Sequence, residues 1–354
     1  MRPIQFALLS VVLVLSAQSV MAGTAYVGGC KHGAFKTIQT AVDTVPAGTI
    51  IDVCPGTYAE QIVLHKALTL RSISFSNSSQ AIISVPSGGL TTTSSLATGT
   101  VAAQVEVTTG PVNITGITVD GTATSNCPSG IPYTGIFYSS GSSGTVNEVE
   151  TRNQNCNGLG IGIIAENGAG AAQLVTIGNS DVNSFTYAGI WACSDVTPTT
   201  LTASIKGNNV TGGQYGVLTS CNAGGVSTNA GSVSGNNITA FSAIGVFNDS
   251  ASSAISGNTI TGGFFGIEVE HPTAVTANQI SNSSFAGISL DVAGASVKTN
   301  TITQAPIGIE FNCKSGTVSG NIINGAATGI DTVPAAFTGV NKFYNVATVR
   351  VGGC

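Results

Sequence analysis

The sequence predicts an all-β solenoid, a stack of short coils within one domain, and three observations carry that expectation. Gly followed by Ile or Val recurs at Gly135, Gly162, Gly189 and Gly216 in steps of 27, then at Gly245, Gly266, Gly287, Gly308 and Gly329 in steps of 21. A second column runs in phase with it: Asn208, Asn236, Asn258, Asn278, Asn300 and Asn321. The composition agrees, with 46 Gly and 42% hydrophobic residues but only 8% charged, against a usual charged share of about 25%. A single coil cannot bury its apolar face, but coils stacked about 4.8 Å apart turn each repeated position into a ladder. A ladder of one charge repels itself, so Gly, Ser, Thr and Asn suit the outer columns.

The same composition excludes other classes. Disorder needs low hydrophobicity and high charge, the reverse of this chain. A nucleic-acid binder needs a basic face, yet Lys and Arg number 11 against 16 Asp and Glu. No segment is apolar for long enough to be a transmembrane helix.

Taken in order, residues 1–22 read as a signal peptide. Arg2 leads the apolar run Phe6 to Ala17, and Ser19-Val20-Met21-Ala22 offers small residues for cleavage. Residues 23–354 would then form one domain with 10 basic and 16 acidic residues, a formal charge of −6, placed outside the cytoplasm. Phe35, Ile38, Ala41, Val42 and Val45 keep helical spacing, so residues 35–45 are expected to form an amphipathic helix capping the stack. Short apolar runs broken by Gly and Asn follow, coil after coil. Asn at the turns is expected to tolerate left-handed backbone and to pass amide hydrogen bonds to the next coil. Residues 345–354 read as a tail. The eight cysteines are even in number, which suits an oxidising compartment. Coil length suggests the pairs Cys30–Cys54, Cys127–Cys156, Cys193–Cys221 and Cys313–Cys354.

The repeat over residues 33 to 345 resembles the right-handed parallel β-helix superfamily, the pectin-lyase-like proteins. The run Lys36-Thr37-Ile38-Gln39-Thr40-Ala41-Val42 with Pro55-Gly56-Thr57-Tyr58-Ala59-Glu60 is similar to the opening of pectin methylesterases and related secreted β-helices. That segment is the cap of those families and carries no catalytic residue. The catalytic signatures are missing: the chain has no Asp-Asp pair and no Gly-His-Gly.

Chemistry is sought on the strand after each repeating Gly, where positions two and four are expected to face outward together. Position two reads Phe137, Ile164, Trp191, Leu218, Phe247, Glu268, Ser289, Glu310, Asp331, and position four Ser139, Glu166, Cys193, Ser220, Asp249, Glu270, Asp291, Asn312, Val333. The first half is aromatic or apolar and the second acidic. Like charges one coil apart repel by roughly 1 kcal/mol even at water-like dielectric, so Asp249, Glu270 and Asp291 on consecutive coils need a reason. A bound Ca²⁺ or a carboxyl held protonated would supply one. Glu270 and Asp291, with Asp249 and His271, are the candidate catalytic groups. Trp191 and Phe247 are candidate sugar platforms, with Glu268 and Glu310 beside them on the substrate face. A second group, Glu148, Glu150 and Arg152 with Asp120, resembles a pectate lyase site in residue type only, and an ordinary salt-bridged surface is the simpler reading.

Three functions stay open on this basis. One is a secreted polysaccharide lyase or hydrolase. The second is a non-catalytic surface protein that binds polysaccharide or Ca²⁺, and the third a structural, adhesin-like solenoid.

Overall fold

The computed structural model describes residues 23–73, 80–122, 129–168, 171–195, 201–221, 230–250, 253–333 and 339–352. The expected signal peptide therefore lies outside the described residues. The chain winds into a right-handed parallel β-helix in which each complete coil gives one strand to each of three sheets, of 12, 12 and 13 strands. The first sheet runs from Thr24–Val27 to Gly316–Ser319, the second from Gly56–Ala59 to Lys342–Tyr344, and the third from Ile62–Leu64 to Thr348–Gly352. One antiparallel hairpin, Thr93–Ser95 against Gly99–Val107, stands on the third sheet.

The 21-residue repeat is one coil. Ala254–Ser256, Thr259–Thr261 and Phe265–Val269 are followed in the next coil by Ala274–Thr276, Gln279–Ser281 and Ala286–Leu290. Each of these strands sends at least one branched aliphatic inward: Ile255, Ile260 and Ile267 are fully buried and stand in register with Val275, Ile280 and Ile288. β-Branched side chains suit such ladders because their stiff χ1 fits the pleated surface.

The two repeat columns have distinct physical causes. The Gly sits at the corner between the second and third sheets with its missing side chain directed into the core. A Cβ on Gly245 would lie 2.5 Å from Ile260 Cγ2 and 2.6 Å from the Gly266 carbonyl oxygen. The Asn forms a buried ladder at the corner between the first and second sheets. Asn258 Nδ2 donates to Asn278 Oδ1 at 2.9 Å and to the Val233 carbonyl at 2.9 Å, and Asn258 Oδ1 accepts from the Asn236 amide. The pattern repeats from Asn208 to Asn341. The left-handed residue is not the Asn, as expected, but the one before it: Gly207, Gly235, Gly257, Ala277, Thr299 and Gly320 all have positive φ. The turn bends there, which leaves the Asn free to point inward and satisfy buried backbone.

The capping helix is shorter than residues 35–45 and spans Ile38–Thr44. Thr37 caps it by accepting from the Thr40 amide, and the Glu60 carboxylate accepts from the Ile38 and Gln39 amides at 2.9 and 3.0 Å. Phe35 stays outside because it bridges to Val27. Ile38, Ala41 and Val42 are fully buried over the first coil. At the other end, residues 345–354 are no simple tail: Thr348–Gly352 pairs with Thr328–Val333 in the third sheet. Cys30–Cys54 and Cys193–Cys221 are bonded, with Cα atoms 5.7 and 4.9 Å apart. Cys127 and Cys354, the expected partners of Cys156 and Cys313, lie outside the described residues. No described helix is long and apolar enough to cross a membrane.

Candidate functional site

The third sheet places the predicted column in register. Phe137, Ile164, Trp191, Leu218, Phe247, Glu268, Ser289, Glu310 and Asp331 are successive partners across the strands. Ile267 and Val269 on either side of Glu268 are fully buried, so the two-residue period turns Glu268 outward. The ladder carries on into position four: the Glu270 amide donates to the Asn248 carbonyl and the Asp291 amide to the Val269 carbonyl. Asp249, Glu270 and Asp291 therefore lie on adjacent coils.

The carboxyls relieve their repulsion through protons and hydrogen bonds. Burial, the charges of Asp291 and Glu270, and a hydrogen bond with the Asp291 carboxyl push Glu268 up to about 7. Glu270 is exposed, yet partial desolvation and the charges of Asp249 and Asp291 raise it, against the effect of His271. Glu310 is raised by burial, and Ser289 Oγ donates to it at 3.2 Å. Asn312 Nδ2 donates to Asp291 Oδ1 at 2.6 Å. His271 does not face the groove as a free base, since its Nδ1 lies 2.6 Å from Asp249 Oδ1. Among the described residues no group of three or more His, Cys, Asp or Glu side chains is arranged to hold a metal ion.

Beside the acids opens a cavity of about 270 Å³, lined by Tyr187, Trp191, Tyr215, Leu218, Phe247 and Glu268 among others. Trp191 is its floor rather than a platform. The indole is only 2% exposed, and its Nε1 donates to the Ser220 carbonyl at 2.7 Å. Tyr187 lies over it at 5.7 Å and meets Tyr215 edge-on at 5.4 Å. Tyr187, Tyr215 and Phe247, each half-buried, offer the aromatic surface that Trp191 does not. The two tyrosines escaped sequence analysis because they precede their Gly by two residues and one. For Tyr215 the signal was legible in principle: with the corner Gly directed inward, the residue before it faces out.

Glu166 belongs to the column but not to the groove. It is 2% exposed, and its Oε2 accepts from Ser95 Oγ at 2.8 Å and from the Leu96 and Ala97 amides at 2.9 and 3.3 Å.

The second group lies on a different sheet, beside a larger cavity of about 420 Å³ lined in part by Glu148, Glu150 and Arg152. Size does not make it the better site, because its charges are spent on one another. Arg152 Nε donates to Asp120 Oδ2 at 2.8 Å and Nη1 to Glu150 Oε2 at 3.1 Å. Although burial acts to raise it, hydrogen bonds from Thr122, Asn153 and Arg152 hold the Asp120 carboxyl down to about 2. An arginine held between two carboxylates is a poor base, and the group reads as a salt-bridged surface.

No family model and no curated protein matches the chain. Solved structures do. It is similar to PfbA, a surface adhesin of Streptococcus pneumoniae, at 13% identity and a TM-score of 0.56, covering 88% of this chain and 85% of that one. The A-module of the Azotobacter vinelandii mannuronan C-5 epimerase AlgE6 matches at 17% identity and 0.53, over 90% and 95%. The Dettilon tailspike protein matches at 16% and 0.54 over 85% of this chain, which spans 62% of the tailspike's length. At such identities the likeness is one of fold, and the fold is the right-handed parallel β-helix.

Proposed function

We propose that the protein is an extracytoplasmic glycan-acting β-helix that binds neutral polysaccharide on the open half of the third sheet and hydrolyses it. The observation that carries this is the placing of Glu268 at the edge of an aromatic-lined cavity, with Asp291 on the adjacent coil. Glu268, raised to about 7, keeps a proton near neutral pH and suits a general acid that protonates a glycosidic oxygen. Asp291, steadied by Asn312, is then the carboxylate that activates water or meets the sugar carbon, the division of labour of glycoside hydrolysis. Tyr187, Tyr215 and Phe247 would stack on sugar rings. The named ionisable groups of the groove are carboxyls and one imidazole already paired with Asp249, so a neutral glycan is favoured over an acidic one. Two disulfides and the signal-like first segment support a place outside the cytoplasm. Similar β-helices of known structure include a mannuronan epimerase module and an alginate lyase, which is in keeping with a glycan partner.

The experiment is a panel of neutral and uronate polysaccharides incubated with the protein, reading reducing ends and ultraviolet-absorbing unsaturated products. Reducing ends without unsaturation are expected, and Glu268→Gln should lower their release about a hundredfold or more. Unchanged rates in that variant would remove Glu268 as the acid. Binding without product throughout would favour the non-catalytic reading, which the missing Asp-Asp and Gly-His-Gly segments also favour.

A further inference from the structure

The outward column of the third sheet is covered over half its length. Phe137 and Ile164 are fully buried, and Trp191 and Leu218 are 2% and 3% exposed, although all four face away from the helix core. They form a second apolar cluster with Ala97, Val101 and the Cys193–Cys221 bridge, against which Leu96 packs. Ala97 and Leu96 are the tip of the hairpin Thr93–Ser95 to Gly99–Val107. That tip is tied down by Glu166, whose Oε2 takes hydrogen bonds from Ser95, Leu96 and Ala97. From Phe247 onward the column is only partly covered: Phe247, Glu268 and Asp331 are half-exposed and Glu270 exposed, while Ser289 and Glu310 between them are buried. The aromatic cavity lies at this boundary: Trp191 and Leu218 come from the covered side, Phe247 and Glu268 from the open side. At about 270 Å³ it falls just below the roughly 300–1,000 Å³ of ligand-sized cavities.

We propose that the groove is blind, so that the protein recognises the end of a glycan chain, seating it in the aromatic cavity against the covered coils of Trp191 and Leu218. A polymer lying along the open coils meets the covered stretch from Phe137 to Leu218, which packs with the hairpin tip and the Cys193–Cys221 bridge, and only a chain end fits. Cleavage at Glu268, on the cavity's edge, then releases short fragments from that end. The Glu166 latch positions the stop. This inference rests on the glycan-binding function proposed above and adds to it a preference for chain ends.

Two measurements on the full chain test it. The first follows viscosity and reducing ends together on a polysaccharide that the panel shows to be cleaved. Chain-end attack raises reducing ends while viscosity barely falls, and early products share one short length. A rapid viscosity loss with a ladder of mixed lengths overturns the proposal and leaves hydrolysis standing. The second is calorimetric binding of cello-, manno- and xylo-oligosaccharides, which needs no turnover. Affinity should level off after a few sugar units and fall about tenfold or more when a bulky group blocks the seated end. Affinity that climbs with chain length and ignores a block at either end overturns the proposal. A protein that binds in the block-sensitive manner but releases nothing loses the hydrolase function and keeps the end recognition. Absence of both binding and cleavage overturns both. Glu166→Ala removes all three bonds to the hairpin tip and should give mixed products or block-insensitive binding. A folded variant that keeps the wild-type pattern would overturn the latch, and if the variant does not fold, the wild-type measurements decide.

Discussion

A carboxyl is an uncommon thing to bury, and this chain buries Glu166 almost completely among hydroxyl and amide donors. Burial outweighs those donors and pushes it up to about 7 from an ordinary 4.5. The folded state therefore keeps a proton that the unfolded chain releases between those two values, and stability falls as pH rises through that window. Glu268 acts with the same sign. Asp120, held down to about 2 from 3.8, acts oppositely, and its stabilisation is lost only as pH falls through that lower window. Thermal midpoints measured across the series should decline from about pH 4.5 to pH 7, and Glu166→Gln should flatten part of the decline. A midpoint that rises over this range would contradict the burial of both groups. The acidic column was legible from residue types and period alone. The separate fate of Glu166 was not, because the hairpin that buries it lies 69 to 71 residues earlier in the chain.

At the scale of the coil, the corners carry the specificity. Asn258→Ala would delete a side chain that bonds to two neighbouring coils and would strand the buried Asn236 amide. A loss of about 2–4 kcal/mol is expected in denaturant unfolding. Gly245→Ala should cost about 1–3 kcal/mol by overpacking, since its Cβ would meet Ile260 and the Gly266 carbonyl. Gly235→Ala places a methyl in open space at φ +62°, so only the left-handed backbone penalty of about 1 kcal/mol applies. Ala277 already occupies the equivalent place at φ +56°. The Gly and Asn columns were plain in the sequence because each answers to a local geometric demand repeated in every coil. The left-handed residue was misplaced by one because Gly, Ala and Thr share that site, and no single residue type marks it. The helix end was misjudged for a similar reason: Phe35 has helical spacing, but its backbone is taken by Val27.

For the molecule as a whole, architecture could be read from period and composition, whereas the shape of the groove could not. Which half of the third sheet is covered depends on a hairpin with no counterpart in the repeat, and repeats say nothing about their exceptions. The asparagine ladder has a consequence for length. Each Asn bonds to its equivalents and to a backbone carbonyl one coil away, so a coil can be excised without leaving an amide stranded, provided the cut respects the period. Deleting residues 258–277 would join Gly257 to Asn278, and Asn236 would find in Asn278 the partner it had in Asn258. Such a protein is expected to fold with undiminished β-sheet circular dichroism per residue, having lost Glu268 and Glu270 with the excised coil. A deletion half that size would set side chains of one corner against those of another and should not fold. The chain behaves in this respect as a measured rod, able to change its reach in whole coils and in nothing smaller.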